Sequence, residues 1–289
     1  MGDEKMRSIK GIKALLIDLN GTVHVGNDPT PRAAEAIAKL RRAHIPFLFC
    51  SNNTKESTKD AVQRLADMGI SAETEEVMTS LGACRQLVDD QKLRPYLLLS
   101  PSAKEEFAHL PVVRPDEHDS VILGQHPPSL SYEALNKAFR ILKGEPIAHD
   151  QNPNRPDRKP LLIAPHTSSF LQAPATSDLP AGLSLGLGPF VKALESATGL
   201  EATIVGKPTR RFFEMAIERL NELYPGEREA GEYAVVGDDI VNDLGAGTTE
   251  LGLRRILVRT GKYRPGAEAG ERPPDSIFDK FADLVDAIV

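Results

Sequence analysis

Short apolar runs alternate along the chain with longer segments in which apolar residues recur every three or four positions. That alternation predicts βα units and a parallel sheet. Ala14 to Ile17 reads as a first strand, followed by a helix over Pro31 to Ala43 with Ala34, Ile37, Ala38 and Leu40 at helical spacing. Phe47 to Cys50 reads as a second strand, ended by Ser51-Asn52-Asn53-Thr54, and Lys55 to Met68 as a helix closed by Gly69. Later in the chain, a strand over Ala202 to Val205 leads through Gly206-Lys207-Pro208 into a helix over Arg211 to Leu223. Tyr233 to Val236 breaks at Gly237-Asp238-Asp239, and Ile256 to Val258 is followed by Arg259-Thr260-Gly261-Lys262. Four strands thus end in Asp18, Ser51, Lys207 and Asp238, and in a parallel sheet the carboxyl ends share the edge where ligands bind.

The stretch between about Gly82 and Gly188 has an alternation of its own. Tyr96 to Leu99 and Val121 to Leu123 predict strands, Tyr132 to Lys143 a helix, and Phe190 to Thr198 a helix closed by Gly199. This predicts a second, inserted domain over 84–188, within a core made of 1–83 and 189–289. The polar, proline-bearing stretches His149 to Pro160 and Gln172 to Leu183 predict surface loops.

Composition changes this picture little. Hydrophobic residues make up 40% and charged residues 26%, an ordinary globular balance that argues against general disorder. A formal net charge of −6 argues against a nucleic-acid scaffold. No apolar stretch approaches the roughly 20 residues that span a bilayer. Met1 to Lys13 is polar and mixed in charge, without the apolar run of a signal peptide. Cys50, within an apolar run, and Cys84 are the two cysteines, and buried free thiols fit a reducing compartment. A cytoplasmic protein that binds neither membrane nor nucleic acid is expected.

The strand-end residues suit phosphoryl transfer, which needs an in-line nucleophile, a cation on the phosphoryl oxygens and donors for the developing charge. Asp18 can be the nucleophile. Asp238 beside it can share a Mg²⁺, a hard cation that prefers carboxylate and phosphate oxygens. Lys207 can bridge nucleophile and phosphoryl group, while Ser51 and the Asn52 amide can donate to phosphoryl oxygens. Asp243 can brace the metal or Lys207 from behind. Each segment alone has an ordinary reading: a turn at Asn20-Gly21, a helix cap at Ser51 to Thr54, a capped helix start at Asp238. The order and strand-end context of all four together are what make the signal specific.

The series Asp18-Leu19-Asn20-Gly21-Thr22, Ser51-Asn52, Gly206-Lys207-Pro208 and Gly237-Asp238 with Asp243 resembles motifs one to four of the haloacid dehalogenase (HAD) superfamily. The insertion of roughly 100 residues between the second and third motifs is similar to the type IIA subgroup with its C2 cap. The resemblance implies an α/β fold with a Rossmann-like parallel-sheet core, Mg²⁺ dependence and a cap that shapes substrate choice. It implies a small phosphorylated substrate contacted by Asp18, Leu19, Asn20, Ser51, Asn52 and Lys207, with metal held by Asp18, Asn20 and Asp238. Asp239 and Asp243 stand behind the metal, and a homodimer through the cap is expected. His166 is a candidate contact for the leaving group or, failing that, an exposed loop histidine. Arg155, Arg158 and Lys159 form a charge run in the insertion.

Asn20 departs from the superfamily pattern, in which an aspartate at this position protonates the leaving group and then activates water. An amide keeps the backbone carbonyl for the metal but does not exchange a proton usefully at neutral pH. A general acid is worth roughly 10²–10⁴ in rate. Alkyl phosphates should lose most, and acyl phosphates, aryl phosphates, phosphoramidates and pyrophosphate least. The sequence therefore predicts a Mg²⁺-dependent phosphatase that is weak or restricted to good leaving groups. The competing reading is a phosphate-metabolite or protein binding module that has lost turnover; a dehalogenase ranks third.

Overall fold

The computed structural model describes residues 9–148, 158–173, 175–180 and 182–289. They fall into two compact units, one comprising Met1–Ser51, Thr58–Met78 and Lys207–Val289, the other Asn52–Ser57 and Thr79–Gly206. No helix among the described residues is long and apolar enough to cross a membrane.

The first unit is built on a six-stranded sheet. Its strands in chain order are β1 (Ala14–Asp18), β4 (Phe47–Ser51), β5 (Val77–Thr79), β12 (Tyr233–Gly237), β13 (Arg254–Val258) and β14 (Ser276–Phe278). A short hairpin of β2 (His24–Val25) and β3 (Asp28–Pro29) follows β1. The sheet order is β14-β13-β12-β1-β4-β5, with β1 parallel to both β12 and β4. All five residues of β1, β4 and β12 are buried, as expected of parallel strands covered on both faces. The helix Ala33–Arg42 buries Ala33, Ala36, Ile37 and Leu40, one stripe at i, i+3, i+4 and i+7. That stripe joins Leu15, Ile17, Phe47, Phe49 and Val236 in the core, along with Leu284 and Val285 of the C-terminal helix Phe281–Ile288.

Register places the reactive strand ends. Ile17 pairs with Val236 and with Phe49, and Asp18 pairs with Cys50. Asp18 therefore emerges level with Cys50 and Gly237, one residue short of Ser51 and Asp238.

The second unit carries its own four-stranded sheet, in the order β11-β8-β7-β6 and parallel throughout. Its strands are β6 (Pro95–Leu98), β7 (Ser120–Leu123), β8 (Leu161–Ala164) and β11 (Thr203–Ile204). The helix Tyr132–Lys143 forms where periodicity predicts it, capped by Ser131 and closed by Gly144 in the left-handed region. Compactness assigns the helix Gly188–Thr198 to this unit as well, whereas the sequence draws the return to the core at 189.

Two expectations need correction. The strand ahead of Lys207 is only Thr203–Ile204, and it pairs with β8 in the second unit's sheet, not in the core. Lys207 therefore reaches its site from the segment leading into the helix Arg210–Leu223, whose Thr209 hydroxyl caps the Phe212 N–H at 3.3 Å. Gln172 to Leu183 is not simply a loop. β9 (Phe170–Ala173) and β10 (Gly182–Leu185) form an antiparallel hairpin, with strands too short and mixed to register as alternation. Phe170, Leu183 and Leu185 are exposed on it. Most of the loop predicted over His149 to Pro160, Arg155 included, lies outside the described residues. Arg158 donates to the Gln91 carbonyl at 2.7 Å, and Lys159 is exposed.

Candidate active site

Asp18 ends β1 with its side chain buried. Its Oδ1 accepts from Lys207 Nζ at 2.6 Å, and its Oδ2 from the Thr22 hydroxyl at 3.1 Å. Lys207 Nζ also donates to Asp243 Oδ1 at 2.7 Å and to the Cys50 carbonyl at 2.9 Å. At 1% exposure this ammonium is among the most enclosed charges in the unit, and such burial is tolerated when every donor is matched. Burial works against charging Lys207. The Asp18 and Asp243 carboxylates outweigh it, so the ammonium's pKa is raised and it stays protonated at any ordinary pH.

Asp238, one residue beyond β12, completes a group of three buried carboxylates. Asp18, Asp238 and Asp243 each offer an oxygen within 4.8 Å of the others. The three are not equivalent. Asp243 is used on both oxygens, Oδ1 by Lys207 and Oδ2 by the Asp239 N–H at 3.1 Å. The Asp238 carboxylate accepts one hydrogen bond among the described residues, from the Lys262 N–H to Oδ2 at 2.6 Å. Burial, followed by the charges of Asp243 and Asp18, pushes the Asp238 carboxyl up to about 9. Burial first, and then Asp18, raises Asp243 to about 6. Three carboxylates and one ammonium leave the cluster short of positive charge.

Asp239 serves the loop itself. Its Oδ1 accepts the Val241 and Asn242 N–H groups at 3.0 Å, and its Oδ2 accepts Asn242 Nδ2 at 2.6 Å. Burial opposes its ionisation, but these donors overcome it and hold its pKa below the usual carboxylate range. Asn20 is exposed, and its side-chain Oδ1 accepts the Gly26 N–H of the β2–β3 turn at 3.2 Å. Leu19 is buried, and its carbonyl accepts the Val23 and His24 N–H groups. Ser51 is buried at the end of β4.

The structure thus gathers Asp18, Lys207, Asp238 and Asp243 directly, with Ser51 one residue past the strand position level with Asp18. Asn52 begins the second unit, where its Oδ1 packs against Gly206 beside the Pro165 carbonyl. His166 belongs to the same unit and is not the exposed loop residue that the sequence allows. It is 9% exposed, and its Nδ1 accepts the Ser168 N–H at 3.3 Å.

Comparison with known proteins gives the family. A haloacid dehalogenase-like hydrolase model matches residues 15–112, and a HAD-hydrolase-like model matches 204–284. Human haloacid dehalogenase-like hydrolase domain-containing protein 2 is 36% identical, over 98% of both chains. The chain belongs to the haloacid dehalogenase-like hydrolase family. Another relative, human phospholysine phosphohistidine inorganic pyrophosphate phosphatase, is 31% identical over 98% of this chain and 96% of its own. Among solved structures, 4-nitrophenylphosphatase from Thermotoga maritima superposes with a TM-score of 0.79 at 25% identity, covering 98% of this chain and 99% of its own. The glycerol phosphate phosphatase of Mycobacterium tuberculosis, in complex with magnesium, gives 0.75 at 25%, covering 94% and 77%.

In this HAD-like hydrolase three site contacts come from groups that the sequence does not single out as site residues. The Thr22 hydroxyl is on Asp18, the Cys50 carbonyl is on Lys207 and the Lys262 N–H is on Asp238. Two of these are backbone groups, which any side chain at that position would supply. Thr22 sits in the first motif, and a hydroxyl four residues after a strand-end carboxylate was the signal available. Burial pushes the Cys50 thiol itself up to about 12, so only its carbonyl takes part. Both cysteines are free and buried, as the sequence predicts.

Proposed function

We propose that this HAD-like hydrolase is a Mg²⁺-dependent phosphatase that works through an aspartyl-phosphate on Asp18 and favours small substrates with good leaving groups. The observation that carries the reading is the Lys207 ammonium clamped between Asp18 and Asp243, with the Asp238 carboxylate alongside. The donor set fits Mg²⁺: hard carboxylate oxygens, buried together with less positive charge than negative. Asp18, Asp238 and the Asn20 carbonyl would hold the ion, which would draw charge from the phosphoryl oxygens.

The remaining steps belong to the chain's own groups. An Asp18 carboxylate oxygen attacks phosphorus and forms the Asp–O–P bond. The bond from phosphorus to the leaving oxygen breaks, and its electron pair leaves with that oxygen. Lys207 holds Asp18 in place through its Oδ1, while Ser51 and Asn52 would donate to the phosphoryl group. Water then attacks phosphorus and breaks the Asp–O–P bond, releasing phosphate. Asn20 offers an amide where the leaving oxygen needs a proton, so solvent must supply it. An acyl phosphate, which departs as a stable carboxylate, bypasses that need; an alkoxide does not.

Phosphate release from acetyl phosphate and from a simple alkyl phosphate, each with Mg²⁺ and with chelator, tests this. Expected is Mg²⁺-dependent turnover of acetyl phosphate that far exceeds that of the alkyl ester. No turnover of either would favour the binding module, which Asn20 alone supports.

Melting curves with and without Mg²⁺ make a second check. Because the Asp238 carboxyl is raised to about 9, the metal-free fold holds a proton that the unfolded chain loses near 4. The sign follows: metal-free stability falls as pH rises across that window, and a cation meets less competition from the proton. The Mg²⁺-induced rise in melting temperature should therefore be larger at about pH 8 than at about pH 5.5. An equal shift at both would contradict cation binding at Asp238.

A further inference from the structure

The turn after β13 contributes no side chain to any of the four motifs, yet it is tied to both loops of the site. The Thr260 hydroxyl donates to the Gly21 carbonyl in the loop after β1. Two residues on, the Lys262 N–H donates to Asp238 Oδ2 at 2.6 Å, and Lys262 Nζ lies 3.4 Å from Asp239 Oδ2. Gly261 lies between them at a φ of +55°. A Cβ there would fall 2.2 Å from Asp238 Oδ2 and 2.4 Å from the Gly21 Cα. Gly21 faces it at a φ of +111°, and a Cβ on Gly21 would fall 2.1 Å from the same carboxylate oxygen. The Asp238 carboxylate is thus seated between two glycines, with one oxygen bonded to the turn.

Resting on the Mg²⁺ reading above, we infer that the Thr260-Gly261-Lys262 turn is a positioning clamp that makes the site select Mg²⁺ over Ca²⁺. The clamp fixes one oxygen of Asp238 and the backbone of the loop that carries Asp18, and so sets where the two carboxylates can meet a cation. Mg²⁺ demands near-ideal octahedral geometry at about 2.0–2.1 Å, whereas Ca²⁺ accepts six to eight oxygens at about 2.3–2.6 Å in flexible arrangements. Loosening Asp238 therefore penalises the smaller ion more. A residue that merely supported the fold would weaken both ions alike.

The test is calorimetric titration of the full chain with Mg²⁺ and, separately, with Ca²⁺. It compares wild type with Thr260→Val, which lacks the hydroxyl at similar size, and Thr260→Ser, which restores it. Expected is at least a tenfold loss of Mg²⁺ affinity in Thr260→Val, a change of less than threefold for Ca²⁺, and recovery of Mg²⁺ affinity in Thr260→Ser. Gly261→Ala should lose more Mg²⁺ affinity than Thr260→Val. Should Thr260→Val fail to fold, Thr260→Ala carries the same comparison without the hydroxyl. Unchanged Mg²⁺ affinity in Thr260→Val, or equal losses for both ions, overturns the inference and leaves the phosphatase reading standing. A wild type that binds no Mg²⁺ removes both.

Discussion

Replacing Asn20 with aspartate is expected to raise turnover of an alkyl phosphate by about 10²–10⁴-fold, the usual value of a placed general acid. That corresponds to about 3–5 kcal/mol of barrier. The substitution asks little of the fold. Asn20 is exposed, and its role as an acceptor for the Gly26 N–H, at 3.2 Å, suits a carboxylate oxygen equally well. What changes is that a group able to give up and retake a proton enters at this position. The same variant should accelerate acetyl phosphate far less, because its leaving group needs no proton. Steady-state phosphate release on the two substrates checks this. A similar gain on both would place the benefit in water activation alone, and no gain on the alkyl ester would show that proton supply is not what limits the enzyme.

The larger loss is expected for Asp18→Asn: at least about 10⁴-fold in turnover of every substrate, as when other nucleophiles are removed. Asparagine matches aspartate in size, so packing at the end of β1 is kept, while the attacking carboxylate is gone. Lys207 retains Asp243 Oδ1 and the Cys50 carbonyl as partners. Taking one negative charge from the cluster also relieves the push that Asp18 exerts on Asp238 and Asp243. A lower activity in Asp18→Asn should therefore come with an intact melting transition. Phosphate release assays on protein whose fold is verified by circular dichroism make the measurement. Residual turnover within tenfold of wild type would remove Asp18 from the nucleophile's role.

The core was readable because its strands are continuous apolar runs that stop abruptly at a polar residue. Ala14 to Asp18 and Tyr233 to Gly237 need no context to be recognised, and their parallel register then brings Asp18 and Asp238 together. The Thr203–Ile204 strand is different. Two residues cannot declare which sheet they join, and here pairing with β8 places them in the second unit. The hairpin of β9 and β10 was hidden for a related reason: its strands are four residues each, with Phe170, Leu183 and Leu185 facing outward instead of inward. In the site, the family resemblance alone separates Asp238 from Asp239; the local hydrogen bonds add that Asp239 caps its own loop while Asp238 faces the other carboxylates. The turn at Thr260 was visible as residues, but its hold on Asp238 runs through a main-chain N–H, which sequence does not encode.

The first unit is drawn from three separated stretches of chain, whereas nearly all of the second lies in one, Thr79–Gly206. On the ribosome this imposes an order. The first two stretches of the sheet emerge early, but β12, the neighbour of β1, is completed only after the whole second unit has been translated. At about 5–20 residues per second, the nascent chain spends many seconds with one flank of β1 uncovered. Lys207 arrives after the second unit, and Asp238 and Asp243 only after β12, so the N-terminal half alone holds a buried-type strand ending in Asp18 without the Lys207 ammonium that pairs with it in the folded unit. A chain truncated before β12 would keep that flank of β1 uncovered and is expected to aggregate or to need a chaperone, which expression of the truncated and full chains would show.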